Sequence, residues 1–194
     1  MNEEQRIELF NQTREAYEKE GYTCEEHTIS ILKANVMALL LAGPIAIVSS
    51  VIFGIINDVE GEIHDFSLMF LILFLISIVV HEGLHGLGWS LASEKGWKSI
   101  HFGVIWKALT PYCCCTEPMD SKKYLLGGAL PLAVLGFGLS IVAFVTGSVL
   151  INSLAFISII CAGGDLTIMI MLIKQRNKLI VDHPNKCGFY TFRK

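Results

Sequence analysis

Charge is what this sequence has least of. Asp, Glu, Lys and Arg make up 17% of its 194 residues, against 53% hydrophobic ones, and mean hydropathy is +0.55. A water-soluble domain keeps about a quarter of its residues charged, so most of this chain is expected to have lipid as its solvent. The length suits one domain. With a net charge of -3 and no dense Lys/Arg stripe, the sequence excludes a nucleic-acid partner. It also lacks any C-x-x-C pair: its six cysteines are Cys24, Cys113, Cys114, Cys115, Cys161 and Cys187, a spacing that suits neither a disulfide framework nor a four-cysteine zinc site. They read as thiols in a reducing compartment. The run Cys113 to Cys115 reads as a short interfacial strand of small apolar residues, with metal capture or lipidation as the alternative. The first 30 residues carry no apolar h-region, so no cleavable signal peptide is expected, and neither an internal repeat nor a low-complexity tract is visible.

What the sequence does have is long apolar runs. Crossing a bilayer as a helix takes about 20 mostly apolar residues, and four windows meet that: Leu32 or Ala34 to Ile56, Phe66 to Leu91, Tyr124 to Val149 and Leu150 to Ile173, the last two joined by a tight turn near Gly147 to Ser153. The basic residues sort by segment. Arg6, Arg14, Lys19 and Lys33 precede the first window; Lys95, Lys98, Lys107, Lys122 and Lys123 lie between the second and third; Lys174, Arg176, Lys178, Lys186, Arg193 and Lys194 follow the fourth. The loop between the first two windows is acidic instead, with Asp58, Glu60, Glu62 and Asp65. The positive-inside rule then predicts a multi-pass protein of the cell membrane with both termini and the central loop, residues 94–123, in the cytoplasm. The expected fold class is all-α integral membrane, with four transmembrane helices, an N-terminal amphipathic helix and short β-hairpin elements on the cytoplasmic side.

Two pieces lie outside the windows. Residues 1–30 form the N-terminal cytoplasmic piece, whose stretch Asn2 to Glu26 predicts a helix with Ile7, Leu9, Phe10 and Tyr17 near one side, lying against the membrane surface. The membrane unit is residues 31–194, ending in a cytoplasmic tail, 174–194. Within it Ser99 to Cys115, rich in β-branched and aromatic residues and interrupted by Gly103 and Pro111, predicts one or two short strands. Val181 to Phe192 predicts another strand or turn around His183-Pro184-Asn185.

Ionisable groups are costly in hydrocarbon and mark function there. The four windows hold only His81, Glu82, His85 and Asp165. Residues four apart stack on one helix face, so His81 and His85 can offer ring nitrogens to one metal ion, with Glu82 beside them to take a proton from the water it activates. An H-E-x-x-H arises by chance in a chain of this composition with a probability of about one per cent. A hydrogen-bonded polar cluster joining helices is the alternative use of these side chains.

A catalytic zinc takes three protein ligands and keeps a position open. Depth selects Asp165 as the third. His81 is 15 residues beyond Phe66 and Asp165 is 13 beyond Asn152, while His85 precedes Lys95 by ten residues and Asp165 precedes Lys174 by nine. At 1.5 Å per residue they share one level, nearer the cytoplasmic face. A lone helix-packing carboxylate is the alternative for Asp165. Glycines flank these groups at Gly83, Gly86, Gly88, Gly127, Gly128, Gly163 and Gly164, which suits close helix approach in lipid whether or not a metal is shared.

The elements His81-Glu82-Gly83-Leu84-His85-Gly86, Thr110-Pro111-Tyr112, Leu130-Pro131, Ala162-Gly163-Gly164-Asp165 and Asp182-His183-Pro184 through Gly188-Phe189 together resemble a family of small membrane proteins described as zincin peptidases, over roughly Ile76 to Phe192. More distantly, H-E-x-x-H on one span with an aspartate on a later one is similar to the site-two-protease type of intramembrane metalloprotease. The resemblance implies Zn2+ bound by His81, His85 and Asp165, with Glu82 as general base. It also implies that the segment Ser99 to Cys115 is a hairpin on which an extended substrate adds as a strand. The Leu-Asp-Gly form of the third-ligand motif and a PDZ-like appendage are both missing.

The function expected is a zinc-dependent, membrane-embedded peptidase acting on a membrane protein or peptide substrate near the cytoplasmic face, with Tyr112 or His101 as candidates for oxyanion support or as interfacial anchors. A non-catalytic zinc-binding membrane adaptor and a small metal permease are the alternatives.

Overall fold

The computed structural model describes residues 1, 3–58, 68–105 and 110–194. Helix α1 (Glu3–Lys19) leads through strand β1 (Thr23–Thr28) to helix α2 (Ile31–Asn57) and helix α3 (Leu68–Ala92). A 3-10 turn, Gly96–Ser99, opens a hairpin of β2 (Ile100–Ile105) and β3 (Thr110–Cys115). After β4 (Met119–Asp120) come helices α4 (Ser121–Pro131) and α5 (Leu139–Thr146), joined by a π-helical stretch Leu132–Gly138, then α6 (Val149–Cys161), α7 (Gly163–Ile173), β5 (Leu179–Asp182) and β6 (Gly188–Arg193). The chain is mostly helical. It is not all-α, since six strands are present among the described residues.

Among the described residues three helices are long and apolar enough to cross a membrane: α2 with 27 residues, α3 with 25, and Ser121–Thr146 with 26; α6 and α7 make a fourth if the pair, bent by 42°, is one span. Several begin or end where the chain offers a cap. Ser30 accepts from the Lys33 N–H at the start of α2, and Ser148 does the same for Ile151 at the start of α6. Gly147, at φ 66°, closes α5. The turn expected near Gly147 to Ser153 is thus two residues long. In the acidic loop, Glu60, Glu62 and Asp65 lie outside the described residues, as do Phe66 at the expected start of the second window and Lys107 in the central loop.

The fourth apolar window is not one straight helix. It breaks at Ala162, where Gly163 meets α2: a Cβ there would fall 2.6 Å from the Ala38 carbonyl oxygen. The close approach needs a glycine, and the change of direction sets Asp165 in the first turn of α7. The third window carries Pro131, which lacks the N–H an α-helix would use, and the backbone runs on as the π stretch.

The N-terminal piece differs more from expectation. The helix ends at Lys19, Gly21 turns at φ 86°, and Thr23–Thr28 pairs antiparallel with β6. The resulting sheet has the order β1-β6-β5-β4. Its alternation divides two cores. Val181 and Phe192 face α1, where Phe10 stacks on Tyr190 at 4.2 Å and Tyr17 lies 4.9 Å from Phe192. Ile180 and Phe189 face the helix ends, packing with Trp89, Tyr124, Cys115 and Leu172. The apolar side of α1 that the sequence assigns to the membrane surface therefore covers the sheet, and Val181 to Phe192 supplies two strands around a turn.

Candidate metal centre

The site is built where three helix ends meet the hairpin. His81, Glu82 and His85 lie in the second half of α3, and Asp165 reaches them from α7. His81 Nε2 is 3.2 Å from Asp165 Oδ2, and His85 Nε2 is 3.2 Å from Asp165 Oδ1. One ligand atom from each residue can be chosen so that all three lie within 4.8 Å of one another. Zinc–ligand distances of about 2.0–2.1 Å in a tetrahedral site put ligand atoms about 3.3 Å apart, so the two imidazoles and the carboxylate fit such an ion. A second observation agrees. Asp165 Oδ2 is buried and receives a well-directed hydrogen bond from no donor among the described residues, an expensive state for a carboxylate oxygen and one that a cation would relieve.

His85 is held from behind. Its Nδ1–H donates to the Gly127 carbonyl at 3.1 Å, which leaves Nε2 with its lone pair directed at the cluster, the arrangement a ligating histidine needs. The ring stacks on Trp89 with centroids 5.0 Å apart. The Trp89 indole N–H donates to the Tyr124 carbonyl at 3.0 Å. All of this depends on α3 and α4 touching backbone to backbone: a Cβ on Gly88 would lie 2.6 Å from the Gly127 Cα, and one on Gly127 would collide with the Trp89 indole. Small residues at helix contacts serve close approach in lipid generally; here the approach also delivers the Gly127 carbonyl to His85.

The hairpin closes the other side. Phe102 and Ile100 pack against α3 at Gly86, and the Cys113 backbone N–H lies near the Glu82 carboxylate. Burial pushes the thiols of Cys114 and Cys115 up to about 12 and about 11 and that of Cys113 higher still. Cys115 and Cys113 pack into the core beside Trp89, Tyr124 and Ile180.

Tyr112 and His101 are not brought to the cluster. The Tyr112 ring covers Gly103 and takes the Arg6 guanidinium over its face at 4.6 Å. His101 sits opposite Cys114 and feels the charges of Arg6 and of the chain's amino terminus, which with burial lower its pKa. Both lie on the α1 side of the hairpin. Sequence reasoning missed the Gly127 carbonyl, Trp89, Tyr124 and Asp182. Of these Gly127 carried a signal as a glycine suited to close helix approach, and Asp182 one as part of an Asp-His-Pro element with no role attached.

A family model described as "Putative zincin peptidase" matches residues 74–180, more than half of the chain. Neither the curated proteins nor the solved structures contain a match.

Proposed function

The chain belongs to the family described as "Putative zincin peptidase", and on that premise we propose that it is a zinc-dependent peptidase embedded in the membrane by four spans, hydrolysing peptide bonds of membrane-associated protein or peptide substrates near the cytoplasmic face. The observation that carries this reading is the meeting of His81, His85 and Asp165 around one point, within 4.8 Å of one another. These three residues would hold the ion, with Glu82 as the general base. Zinc held there would supply a Lewis acid for the scissile carbonyl and would lower the pKa of water.

The remaining work belongs to the chain. Glu82, next to His81 on α3, accepts the proton of the attacking water and returns it to the leaving amine. Asp165 compensates the positive charge at the site, and the Gly127 carbonyl keeps His85 in the ligating tautomer. A substrate reaches such a site in extended form, because the carbonyls of a helix are shielded by their own hydrogen bonds. The clustering of Lys and Arg outside the acidic loop supports an orientation with both termini and the hairpin in the cytoplasm.

Metal analysis of purified protein tests the assignment. Wild type should carry about one zinc per chain, and His81→Ala and Asp165→Ala should carry none above background. Glu82→Ala should keep zinc while losing cleavage of an unfolded membrane substrate by about 10²- to 10⁴-fold. Normal turnover by that variant would remove Glu82 from the mechanism. Zinc retained by a wild-type protein that cleaves nothing would mark an adaptor.

A further inference from the structure

Asp182, the last residue of β5, lies beyond the stretch matched by the family model. Its side chain turns to the helix-facing side of the sheet, the side of Ile180. There the Tyr124 hydroxyl donates to Oδ1, and the Cys115 N–H donates to Oδ2 at 2.7 Å. Burial drives its pKa up to about 6, against an ordinary 3.8, with both hydrogen bonds and the nearby His85 opposing the rise. A carboxylate kept in such a place is costly unless each oxygen is satisfied. Here the two oxygens hold two different elements, α4 and β3.

Both elements lead to the metal centre. Along a strand, N–H groups two residues apart point the same way. The Cys115 N–H points away from β2 to Asp182; the Cys113 N–H points the same way, toward the side where the Glu82 carboxylate lies. Tyr124 works at both ends as well. Its hydroxyl goes to Asp182, and its carbonyl takes the indole N–H of Trp89, the ring stacked on His85. We propose that Asp182 is a positioning residue for the peptidase site: by clamping β3 to α4 it fixes the strand whose Cys113 N–H orients the Glu82 carboxylate. This rests on the peptidase reading above. It predicts that Asp182 affects turnover by holding Glu82 and leaves the three metal ligands as they are.

The experiment compares wild type, Asp182→Asn and Tyr124→Phe as full chains in lipid nanodiscs, using an internally quenched unfolded peptide, Co(II) substitution and amide hydrogen exchange of the metal-free protein. Asp182→Asn should bind Co(II) with the wild-type visible spectrum, lose about 10- to 100-fold in kcat per bound metal with KM within about twofold, and exchange the amides of β3 about tenfold faster while those of β6 stay protected. Tyr124→Phe, which leaves the Cys115 bond in place, should shift both readouts the same way by about three- to tenfold, and it carries the test if Asp182→Asn fails to fold. A fall in the folded fraction with kcat per bound metal unchanged would reduce Asp182 to a fold-stabilising residue and overturn the proposal, as would unchanged β3 protection. Wild type that neither binds Co(II) nor cleaves the peptide would instead sink the peptidase reading; the exchange arm would still decide whether Asp182 fixes β3.

Discussion

The two halves of α3 are built from similar apolar residues and differ in what covers them. In the second half His85, Gly86, Gly88, Trp89 and Ser90 are buried against α4 and the hairpin. In the first half Leu68, Met69, Leu71, Ile72, Leu75, Ile76 and Val79 are exposed. There a cavity of about 520 Å³ opens among Ser50, Phe70, Phe74, Asn152, Ser153, Phe156 and Ile157. The three ionisable groups of α3, His81, Glu82 and His85, sit in the protein-surrounded half. Imidazoles and carboxylates in hydrocarbon need polar partners, and in this chain those partners come from the Gly127 carbonyl, the hairpin edge and α7, none of which reaches the first half.

The contrast is most easily broken at Gly88. Leucine there has no room beside the Gly127 Cα, and the displaced contact is between backbones, which cannot rotate away. The expected cost is at or above the roughly 3 kcal/mol upper end for overpacking, with loss of zinc because His85 and its carbonyl partner separate. Gly83 is one turn nearer the other half, and nothing lies within 4 Å of a Cβ placed there. Gly83→Ala should leave stability unchanged or raise it by up to about 1 kcal/mol. Thermal unfolding and zinc content of the two variants, measured side by side, test the difference; equal damage from both would mean that backbone contact is not what holds the site.

Titration sharpens the same comparison, since the protein-packed half leans on a buried acid and the exposed half has none. Asp182 has a folded-state pKa of about 6 against 3.8, so the stability it confers through its protonated form is fully present below pH 3.8 and is lost as pH rises through about 6. At about 1.4 kcal/mol per unit the loss is at most about 3 kcal/mol. Glu25 and Glu26, held below the ordinary carboxylate range by Lys178 and Lys186, act in the opposite sense and belong to the sheet surface. The difference between wild type and Asp182→Asn isolates the Asp182 contribution: between pH 4 and 6 wild type should lose more stability than the variant. Parallel curves would show that Asp182 is not the group titrating.

How much of this was legible without coordinates follows from the same division. Apolar runs announce themselves one residue at a time, so α2 and α3 lie close to their expected bounds. His81, Glu82, His85 and Asp165 stood out because a charge in hydrocarbon is conspicuous, and counting residues from each membrane face was enough to suggest that α3 and α7 carry them at one depth. The sheet was much less legible. β1 pairs with β6 across nearly the whole chain, and its adjacent Glu25 and Glu26 hide any alternation. No local pattern says that Thr23 will meet Arg193. The break at Ala162 was hidden because glycines before Asp165 look the same whether they pack a straight helix or bend one; the Ala38 carbonyl decides it. Tyr112 and His101 were candidates by chemistry alone, and strand register turned both toward α1.

The smallest effect expected tests the exposed apolar half itself. Phe74 lines the cavity two helical turns before His81, on the same face of α3. If lipid is the solvent there, Phe74→Leu exchanges one apolar contact for another with acyl chains, which are as apolar as leucine. Stability should move by no more than about 0.5 kcal/mol, with zinc affinity unchanged within about twofold. Trp89→Leu is the matched change in the other half. It removes the indole bond to Tyr124 and the stack on His85, and zinc affinity should fall about 10- to 100-fold, as it does when the partner of a metal-binding histidine is lost. Zinc competition titrations on the two variants compare them directly. A Phe74→Leu protein that also released its zinc would show the cavity wall to be part of the metal centre's support, and the two halves of α3 would then have to be read as one.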